Sequence, residues 1–233
     1  MKKTISDINE ELLNKKVNGV YNKFLKRICD FTLAFAFIII LMPFYILLIL
    51  TQIITSGFPI FYRPLRGGYK NKSFRIIKFR TMVKNADEIG GGTTALNDKR
   101  ITKFGHLLRK TKLDETPQLF NILTGKMSFI GPRPELLKYT DGYENLEHYI
   151  LKVRPGITDY SSIEFINLDE VVGNMNADQN YEEKVLRVKN KLRIKYVSEI
   201  SLFTDVKIFF VTVIKVFKKT LSYIGGKYGK NKN

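Results

Sequence analysis

Residues 31–62 read FTLAFAFIIILMPFYILLILTQIITSGFPIFY, a stretch with no Asp, Glu, Lys, Arg or His. Its densest part, residues 31–56, is long enough to cross a bilayer, which takes about 20 apolar residues. Pro43 lies near the middle, where it removes a helical hydrogen bond and bends the axis. Each half would then be about 18 Å long, short of a hydrocarbon core of about 30 Å. The stretch therefore predicts a membrane-inserted helix that is broken at Pro43.

Basic residues flank this stretch on both sides: Lys23, Lys26 and Arg27 before it, and Arg63, Arg66, Lys70 and Lys72 after it. Positive charge marks the cytoplasmic side of a membrane segment, so a crossing helix should be basic at one end only. The flanks favour a re-entrant helix, residues 23–57, that turns at Pro43 and leaves on the face it entered. A single crossing with a tolerated proline remains the alternative, because membrane helices accommodate proline.

The composition indicates an anionic partner. The 233 residues carry a formal net charge of +17, which favours nucleic acid, anionic lipid or phosphorylated substrates. Beside a membrane segment, lipid and phosphate are better candidates, and no helix-turn-helix, zinc or RNA-binding signature is present, so we expect no nucleic-acid partner. The single cysteine, Cys29, excludes an intramolecular disulfide, and its place beside the apolar run predicts a small buried side chain.

Outside the membrane segment we predict a mostly helical α+β fold. Residues 1–22 form an N-terminal segment, residues 58–224 a cytosolic catalytic domain, and residues 225–233 a tail. Residues 58–62 and 74–80 flank a Gly67-Gly68 turn and predict a β-hairpin with a longer loop. Residues 128–134 predict a short strand that ends in a rigid loop, and residues 153–158 a second loop of that kind.

Three helices are predicted in the second half of the chain. Thr102 is a candidate N-cap for the first, and a second should begin just after Thr111 and end at Gly125. The third lies within residues 184–219, with Asp205 as a candidate cap for its strongly apolar part. Lysines among bulky apolar residues there indicate an amphipathic helix on the membrane surface. A buried core helix is the equally open alternative.

The most suggestive acidic site is the adjacent pair Asp114 and Glu115. In the first turn of a predicted helix, the peptide dipoles would lower carboxylate pKa values and keep at least one group ionised. An ionised carboxylate can act as a nucleophile or bind Mg²⁺. The structural alternative is ordinary helix capping, since Thr111 with Asp114 fits a capping box.

The basic residues around this pair favour the chemical interpretation. Five of them lie at strand ends, beside the pair or in proline-restricted loops: Lys78, Arg80, Arg109, Arg133 and Arg154. An arginine between prolines, as Arg133 is, can be aimed at phosphate oxygens at low entropic cost. Cations around a carboxylate pair are what phosphoryl transfer from a diphosphate requires.

From Lys26 to Thr158 the sequence resembles the bacterial sugar transferases, the monotopic phosphoglycosyl transferases. The segments that carry the resemblance are KFRTM at 78–82, ITKFGHLLRKTKLDETPQLFNIL at 101–123, MSFIGPRPE at 127–135 and VRPGIT at 153–158. The resemblance is to the minimal form, without the additional N-terminal membrane domain of larger members. It also implies a re-entrant membrane helix.

The resemblance implies a two-step reaction at the cytoplasmic face of the bacterial inner membrane. Asp114 would be the nucleophile, Glu115 its partner, and Mg²⁺ would bind at both. Asp114 would take a phosphosugar from a UDP-sugar, release UMP, and pass the phosphosugar to a polyprenyl phosphate such as undecaprenyl phosphate. Lys78, Arg80, Arg109 and Arg133 fall on positions associated with phosphate and substrate contacts. The product would begin a lipid-linked glycan such as capsule, O-antigen or exopolysaccharide.

Several alternatives stay open. One rival hypothesis is a non-enzymatic basic scaffold on the membrane surface, and another is direct transfer in which Asp114 only holds metal. After Thr158 the chain reads DYSSIEF, which departs from the family pattern and leaves the sugar undefined. The choice between a monomer and a homodimer is also open.

Overall fold

The computed structural model describes residues 8–224, so the predicted tail 225–233 and the first seven residues of the N-terminal segment lie outside the described residues. Helices dominate the described chain, which confirms the mostly helical α+β prediction. Their bounds are α1 Glu10–Asn18, α2 Lys26–Ser56, α3 Ala86–Ile89, α4 Lys103–Thr111, α5 Gln118–Leu123, α6 Leu137–Thr140, α7 Tyr160–Glu164, α8 Leu168–Val172, α9 Ala177–Asn180, α10 Arg187–Glu199 and α11 Leu202–Ile224.

The strands form three small two-stranded sheets. Their bounds are β1 Phe61–Tyr62, β2 Leu65–Arg66, β3 Phe74–Arg75, β4 Lys78–Phe79, β5 Ser128–Ile130 and β6 Gly156–Thr158. Antiparallel pairing of β1 with β4 and of β2 with β3 confirms the predicted hairpin. β5 pairs in parallel with β6, so part of the loop predicted at 153–158 is a strand.

The apolar stretch lies in α2, a helix of 31 residues that follows a π-helical turn at Tyr21–Leu25. Together they form a helix of 36 residues that is long and apolar enough to cross a membrane. Pro43 lies inside α2, and the helix bounds pass it without interruption. The re-entrant turn therefore stays a prediction.

One stripe of α2 is buried against the rest of the protein along almost the whole helix. Its members recur at helical spacing: Asp30, Ala34, Ile38, Tyr45, Leu48 and Gln52. The opposite side exposes large apolar residues, including Ile40 and Ile54, which are 69% and 84% exposed. Cys29 is also exposed, so the expectation that it is buried is wrong. Because α2 packs against the protein along one face only, its other faces stay exposed.

Polar contacts attach both ends of α2 to the same folded body. At the N-terminal end, Lys26 pairs with Asp205 of α11, and Asp30 accepts a hydrogen bond of 3.0 Å from the Ser128 hydroxyl of β5. At the C-terminal end, Gln52 donates to the Arg80 carbonyl at 2.8 Å. The guanidinium of Arg80 donates to the carbonyl of Gly57, also at 2.8 Å, and to that of Ser56.

The expected N-cap role of Asp205 is wrong. α11 begins at Leu202, and the Ser201 hydroxyl accepts from the Thr204 N–H at 3.3 Å. Asp205 instead points into the protein, where it also accepts a hydrogen bond of 2.8 Å from the Tyr196 hydroxyl. Its pairing with Lys26, far away in the chain, keeps this carboxylate from capping the helix.

α11 is amphipathic, with one packed face and one apolar exposed face. Ile208 is only 1% exposed, whereas Phe203, Phe210 and Phe217 are 80%, 59% and 63% exposed. The alternative of a helix buried in the core is therefore wrong for α11.

Candidate active site

The carboxylate pair lies in a turn of its own between two helices. The Thr102 hydroxyl accepts from the Gly105 N–H at 2.9 Å, which confirms Thr102 as the N-cap of α4. Lys112 has a left-handed backbone with φ of 60°, which ends α4 and reverses the chain. A 3₁₀ turn, Leu113–Glu115, carries the pair, and α5 begins only at Gln118.

Two details predicted for this segment are therefore wrong. The second helix does not begin just after Thr111, and Thr111 does not form a capping box with Asp114. The Thr111 hydroxyl belongs to the last turn of α4 and donates to the Leu107 carbonyl at 2.8 Å. Because α5 does not begin at the carboxylate pair, its dipole does not explain their ionisation. The ionisation depends instead on the side chains around them.

Glu115 is held by two cations. The Arg133 Nη1 donates to Oε2 at 3.0 Å, and Arg133 Nη2 contacts Oε1. The Lys78 ammonium pairs with Oε1 at 3.2 Å. Burial alone would raise the pKa of Glu115, but the charges of Arg133 and Lys78 outweigh it and hold this pKa well below its ordinary value. Glu115 is therefore ionised and fixed in place.

The arginine is positioned by the parallel β5–β6 pair. This pair brings the loops after both strands together, and a Cβ on Gly156 would lie only 2.1 Å from the Gly131 nitrogen. Arg133 Nη1 donates to the Ile157 carbonyl at 2.8 Å, and its backbone N–H donates to the Asp159 carboxylate at 3.3 Å. The guanidinium is thus fixed from both its backbone and its side chain.

The Asp114 carboxylate has fewer compensating contacts than that of Glu115. Asp114 is 7% exposed, and its Oδ1 has no hydrogen-bond partner among residues 8–224. Burial, together with the negative charge of Glu115, raises its pKa, while Lys78 and Lys112 oppose that rise. A buried carboxylate oxygen without a partner is costly unless a ligand completes the site.

Both carboxylates line a cleft of about 710 Å³. This volume suits a substrate of nucleotide-sugar size, since small-molecule sites measure about 300–1,000 Å³. Phe37 and Leu41 of α2 and several residues of α11 also line it. The cleft therefore extends from the carboxylate pair to both apolar helices.

The structure brings together three of the five predicted basic residues. Lys78, Arg109 and Arg133 line the cleft. Arg109 is oriented by Thr81 and Thr94, whose hydroxyls accept its hydrogen bonds at 2.8 and 3.0 Å.

The other two basic residues are placed elsewhere. The guanidinium of Arg80 donates hydrogen bonds to the carbonyls at the end of α2. Arg154 donates to the Gly125 carbonyl at 3.2 Å and lies over the ring of Tyr69. Neither lines the cleft with the carboxylate pair, so neither is positioned for the substrate contact predicted from the sequence.

A second buried ionic cluster, part of which lines the cleft, was missed by the sequence reasoning. Glu135 pairs with Arg193, contacts the Tyr181 hydroxyl, and lies 3.9 Å from the Lys189 ammonium. Burial lowers the pKa of Lys189 to about 8. Little in the sequence indicates this cluster. Glu135 ends the motif MSFIGPRPE, but its partners lie in a helical segment without a recognisable motif.

The residues at the carboxylate pair fit a Mg²⁺ ion held jointly with a substrate. Among residues 8–224 no cluster of three or more His, Cys, Asp or Glu side chains could hold a metal by itself. Mg²⁺ commonly uses one or two carboxylates together with substrate phosphates. Asp114 offers the unpartnered Oδ1, whereas both oxygens of Glu115 already contact cations. The fit is therefore better at Asp114 than at Glu115.

Comparisons with known proteins find one family model and several similar proteins. Residues 21–219 match the family model described as "Bacterial sugar transferase". The UDP-glucose:undecaprenyl-phosphate glucose-1-phosphate transferase of Escherichia coli is 35% identical over 216 residues, covering 91% of this chain and 44% of the relative. The UDP-N-acetylgalactosamine-undecaprenyl-phosphate N-acetylgalactosaminephosphotransferase of Aeromonas hydrophila is 32% identical, covering 90% of this chain and 47% of the relative.

A relative of more similar length also matches. "Uncharacterized sugar transferase EpsL" of Bacillus subtilis is 34% identical over 192 residues, covering 82% of this chain and 87% of the relative. By contrast, the chain spans less than half the length of the Escherichia coli and Aeromonas hydrophila proteins.

Proposed function

The chain belongs to the bacterial sugar transferase family, and from this premise we propose that it transfers a sugar 1-phosphate from a UDP-sugar to a polyprenyl phosphate. The observation that carries the proposal is the buried carboxylate of Asp114, with an unpartnered oxygen, inside a cleft lined by Lys78, Arg109 and Arg133. Undecaprenyl phosphate, which is part of the names of both longer relatives, is the proposed acceptor. The product begins a lipid-linked glycan.

In the first step an Asp114 oxygen attacks the phosphorus that carries the sugar. The new O–P bond forms as the phosphoanhydride bond breaks, and UMP leaves with the bonding electron pair. No proton has to move, because the nucleophile and the leaving group are both anions. The phosphosugar remains on Asp114 as an acyl phosphate.

In the second step a phosphate oxygen of the lipid attacks the same phosphorus. The bond from Asp114 to phosphorus breaks, and its electron pair returns to the carboxylate. A polyprenyl diphosphosugar leaves, and Asp114 is ready for another cycle. The two substrates react in sequence, as in ping-pong kinetics.

The cations supply the charge stabilisation that phosphoryl transfer depends on. Lys78 and Arg133 lie against Glu115, beside the nucleophile, where they can bind diphosphate oxygens while Glu115 keeps them oriented. Arg109 also lines the cleft and can donate hydrogen bonds there. Mg²⁺ bound by Asp114 with the diphosphate would neutralise phosphate charge.

We also propose that the protein is monotopic at the cytoplasmic face of the bacterial inner membrane. The buried stripe of α2 from Asp30 to Gln52 covers about 33 Å at 1.5 Å per residue, as long as the hydrocarbon core is thick. If α2 crossed the bilayer, the polar domain packed along it would be drawn into lipid, at high cost. Entry and exit on one face avoid this cost.

α11 supports the same placement. Its exposed phenylalanines, together with nearby lysines such as Lys207 and Lys218, have the composition of a helix that lies in the interface of a membrane. The soluble donor and the lipid acceptor would then meet at the plane of the headgroups.

The test is the intact mass of the protein after mixing with a UDP-sugar and Mg²⁺ but no acceptor. With the right sugar, chosen from a panel that includes UDP-glucose and UDP-N-acetylgalactosamine, the protein should gain one phosphosugar and release UMP. Asp114→Asn should gain no mass, and its UMP release should fall at least about a thousandfold, since Asn is no nucleophile here. Asp141→Asn, an exposed change outside the cleft, is the matched control.

Two outcomes would contradict the proposal. UMP release that requires acceptor, without added protein mass, would indicate direct transfer. The absence of UMP release with every donor tested, in the presence of undecaprenyl phosphate, would favour a scaffold without enzymatic activity.

A further inference from the structure

The cleft continues from the carboxylate pair to a group of lysines on two helices and the turn between them. Lys110 lies in the last turn of α4, Lys112 precedes the carboxylate turn, and Lys215 and Lys219 lie one helical turn apart on α11. All four line the cleft. None of them is needed to hold Glu115, whose partners are Lys78 and Arg133.

Two of these ammonium groups are already aimed by the backbone. Lys219 donates to the Ile166 carbonyl at 2.7 Å, and Lys215 donates to the Ile163 carbonyl at 3.1 Å. An ammonium has three donors, so each keeps donors for a further acceptor. The carbonyl contacts hold the two positive groups on the cleft wall at a defined place.

The lysine group has an excess of positive charge. Asp169 lines the same part of the cleft and lies 4.0 Å from Lys110. Burial, with the nearby charge of Lys112, lowers the pKa of Lys219 to about 8 despite Asp169. A bound anion would relieve this repulsion.

The cleft that holds the lysines is also lined by apolar residues of both exposed apolar helices. Phe209 and Val216 of α11 line the cleft, and so do Phe37 and Leu41 of α2. Both helices also carry exposed apolar faces, as described above. An anion with a long hydrocarbon chain can therefore place its charge among the lysines and its chain between the two helices.

We propose that Lys215 and Lys219, assisted by Lys110 and Lys112, bind the phosphate of the lipid acceptor at a subsite distinct from the donor diphosphate site at Lys78 and Arg133. This inference rests on the proposed function, because it assigns a place to the second substrate of that reaction. Lys112 lies two residues before Asp114 in the chain and lines the same cleft as Lys219, so it connects the nucleophile with the subsite. The lipid phosphate thus approaches Asp114 from the side of the membrane helices.

The experiment separates the two half-reactions in nanodiscs of defined lipid composition. Protein loaded with the UDP-sugar that gives UMP release is mixed with undecaprenyl phosphate, and loss of the adduct mass is followed with time. The double variant Lys215→Gln/Lys219→Gln should form the adduct at close to the wild-type rate but transfer it at least about tenfold more slowly, the loss expected from charged hydrogen bonds. The single variant Lys219→Arg, which keeps the charge and leaves Lys215 unchanged, should retain most of the wild-type transfer rate.

The matched control is Lys207→Gln/Lys218→Gln, which removes the same charge from α11 outside the cleft. An equal loss of transfer in this control would mean general attraction to anionic lipid, and would overturn the subsite. Equal slowing of adduct formation and transfer would place the lysines at the donor, and unchanged transfer would show that they do not bind the acceptor. Either result overturns the inference. Failure of wild-type protein to form an adduct would instead contradict the proposed function itself.

If the double variant unfolds, the single variant Lys215→Gln carries the test. Lys215 is exposed, so its replacement should leave the thermal unfolding midpoint unchanged. Slower transfer with normal adduct formation is again the expected result, and wild-type transfer would overturn the proposal.

Discussion

Arg133 binds Glu115 with both arms of its guanidinium, one contact measuring 3.0 Å between Nη1 and Oε2. The same Nη1 reaches the Ile157 carbonyl at 2.8 Å. Glu115 is next to Asp114 in the chain, so this fork fixes a cation beside the proposed nucleophile. A substitution at Arg133 can therefore test the role of its planar shape separately from the role of its positive charge.

Arg133→Lys keeps the charge but loses the planar fork. We expect kcat/KM for UMP release to fall about 10- to 100-fold, because lysine cannot bind Glu115 and a phosphate with the same fixed geometry. The measurement is the steady-state rate with UDP-sugar and undecaprenyl phosphate. Arg154→Lys, outside the cleft, is the control and should change the rate less than about threefold. Equal losses in both variants would contradict the assigned roles.

Asp159 should act as a positioning residue for the Arg133 loop. Its carboxylate accepts from the Arg133 N–H at 3.3 Å and from the Ser162 N–H at 2.7 Å, where it caps α7. Asp159→Asn replaces one acceptor oxygen by a donor, so we expect about a tenfold loss of kcat with a smaller change in KM. The measurement is a full substrate titration.

The control for Asp159 is the N-cap of α1. Asn9 accepts from the Leu12 N–H at 2.9 Å, and Asn9→Ala should cost about 1 kcal/mol of stability, as other lost caps do. It lies outside the cleft and should leave kcat unchanged. If both variants lose activity in proportion to their lower unfolding midpoints, Asp159 has only a structural role.

The buried Lys189 predicts a pH-dependent stability. Its pKa in the folded protein is about 8, below the ordinary value of 10.5, so the unfolded state binds more protons between these values. The free energy of unfolding should rise as pH increases from about 8 to about 10.5, by at most about 3 kcal/mol for this 2.5-unit difference. The groups around it do not titrate in this window, since the pKa of Glu135 is lowered and that of Tyr181 is raised.

Lys189→Met isolates this contribution. The variant should lose the part of the rise that comes from Lys189, as measured by unfolding in detergent at several pH values. Lys191→Met, an exposed change on the same helix, should retain the wild-type slope. A slope in Lys189→Met as steep as that of the wild type would show that Lys189 does not carry the effect.

Local patterns predicted a good part of the fold and the site. The β-hairpin and the Thr102 cap follow from residues close together in the chain, and their predictions are confirmed. The motif segments also contained Lys78 and Arg133, which the structure brings to Glu115. Rigid neighbours and charge were sufficient signals there.

The errors share a physical cause, which is competition from partners distant in sequence. Arg80 was expected at the substrate, yet carbonyls at the end of α2 bind it. Asp205 was expected to cap a helix, yet Lys26, 179 residues away, pairs with it. The left-handed Lys112 could not be foreseen either, because nothing in its residue type requires φ of 60°. Such choices are made by tertiary packing, which periodicity does not encode.

The two ends of α2 should lie on the same side of the membrane. In a Cys29→Ser background, Asn18→Cys before the helix and Lys72→Cys after it place single exposed thiols on either side of the apolar stretch. A membrane-impermeant maleimide should label neither in intact cells and both in inverted vesicles. The reason is that Lys26 and Gln52, near opposite ends of α2, are each bound to the same polar body, which cannot lie on two faces at once. The Cys29→Ser parent shows the background, and labelling of one site only in intact cells would establish a single crossing and exclude the re-entrant helix.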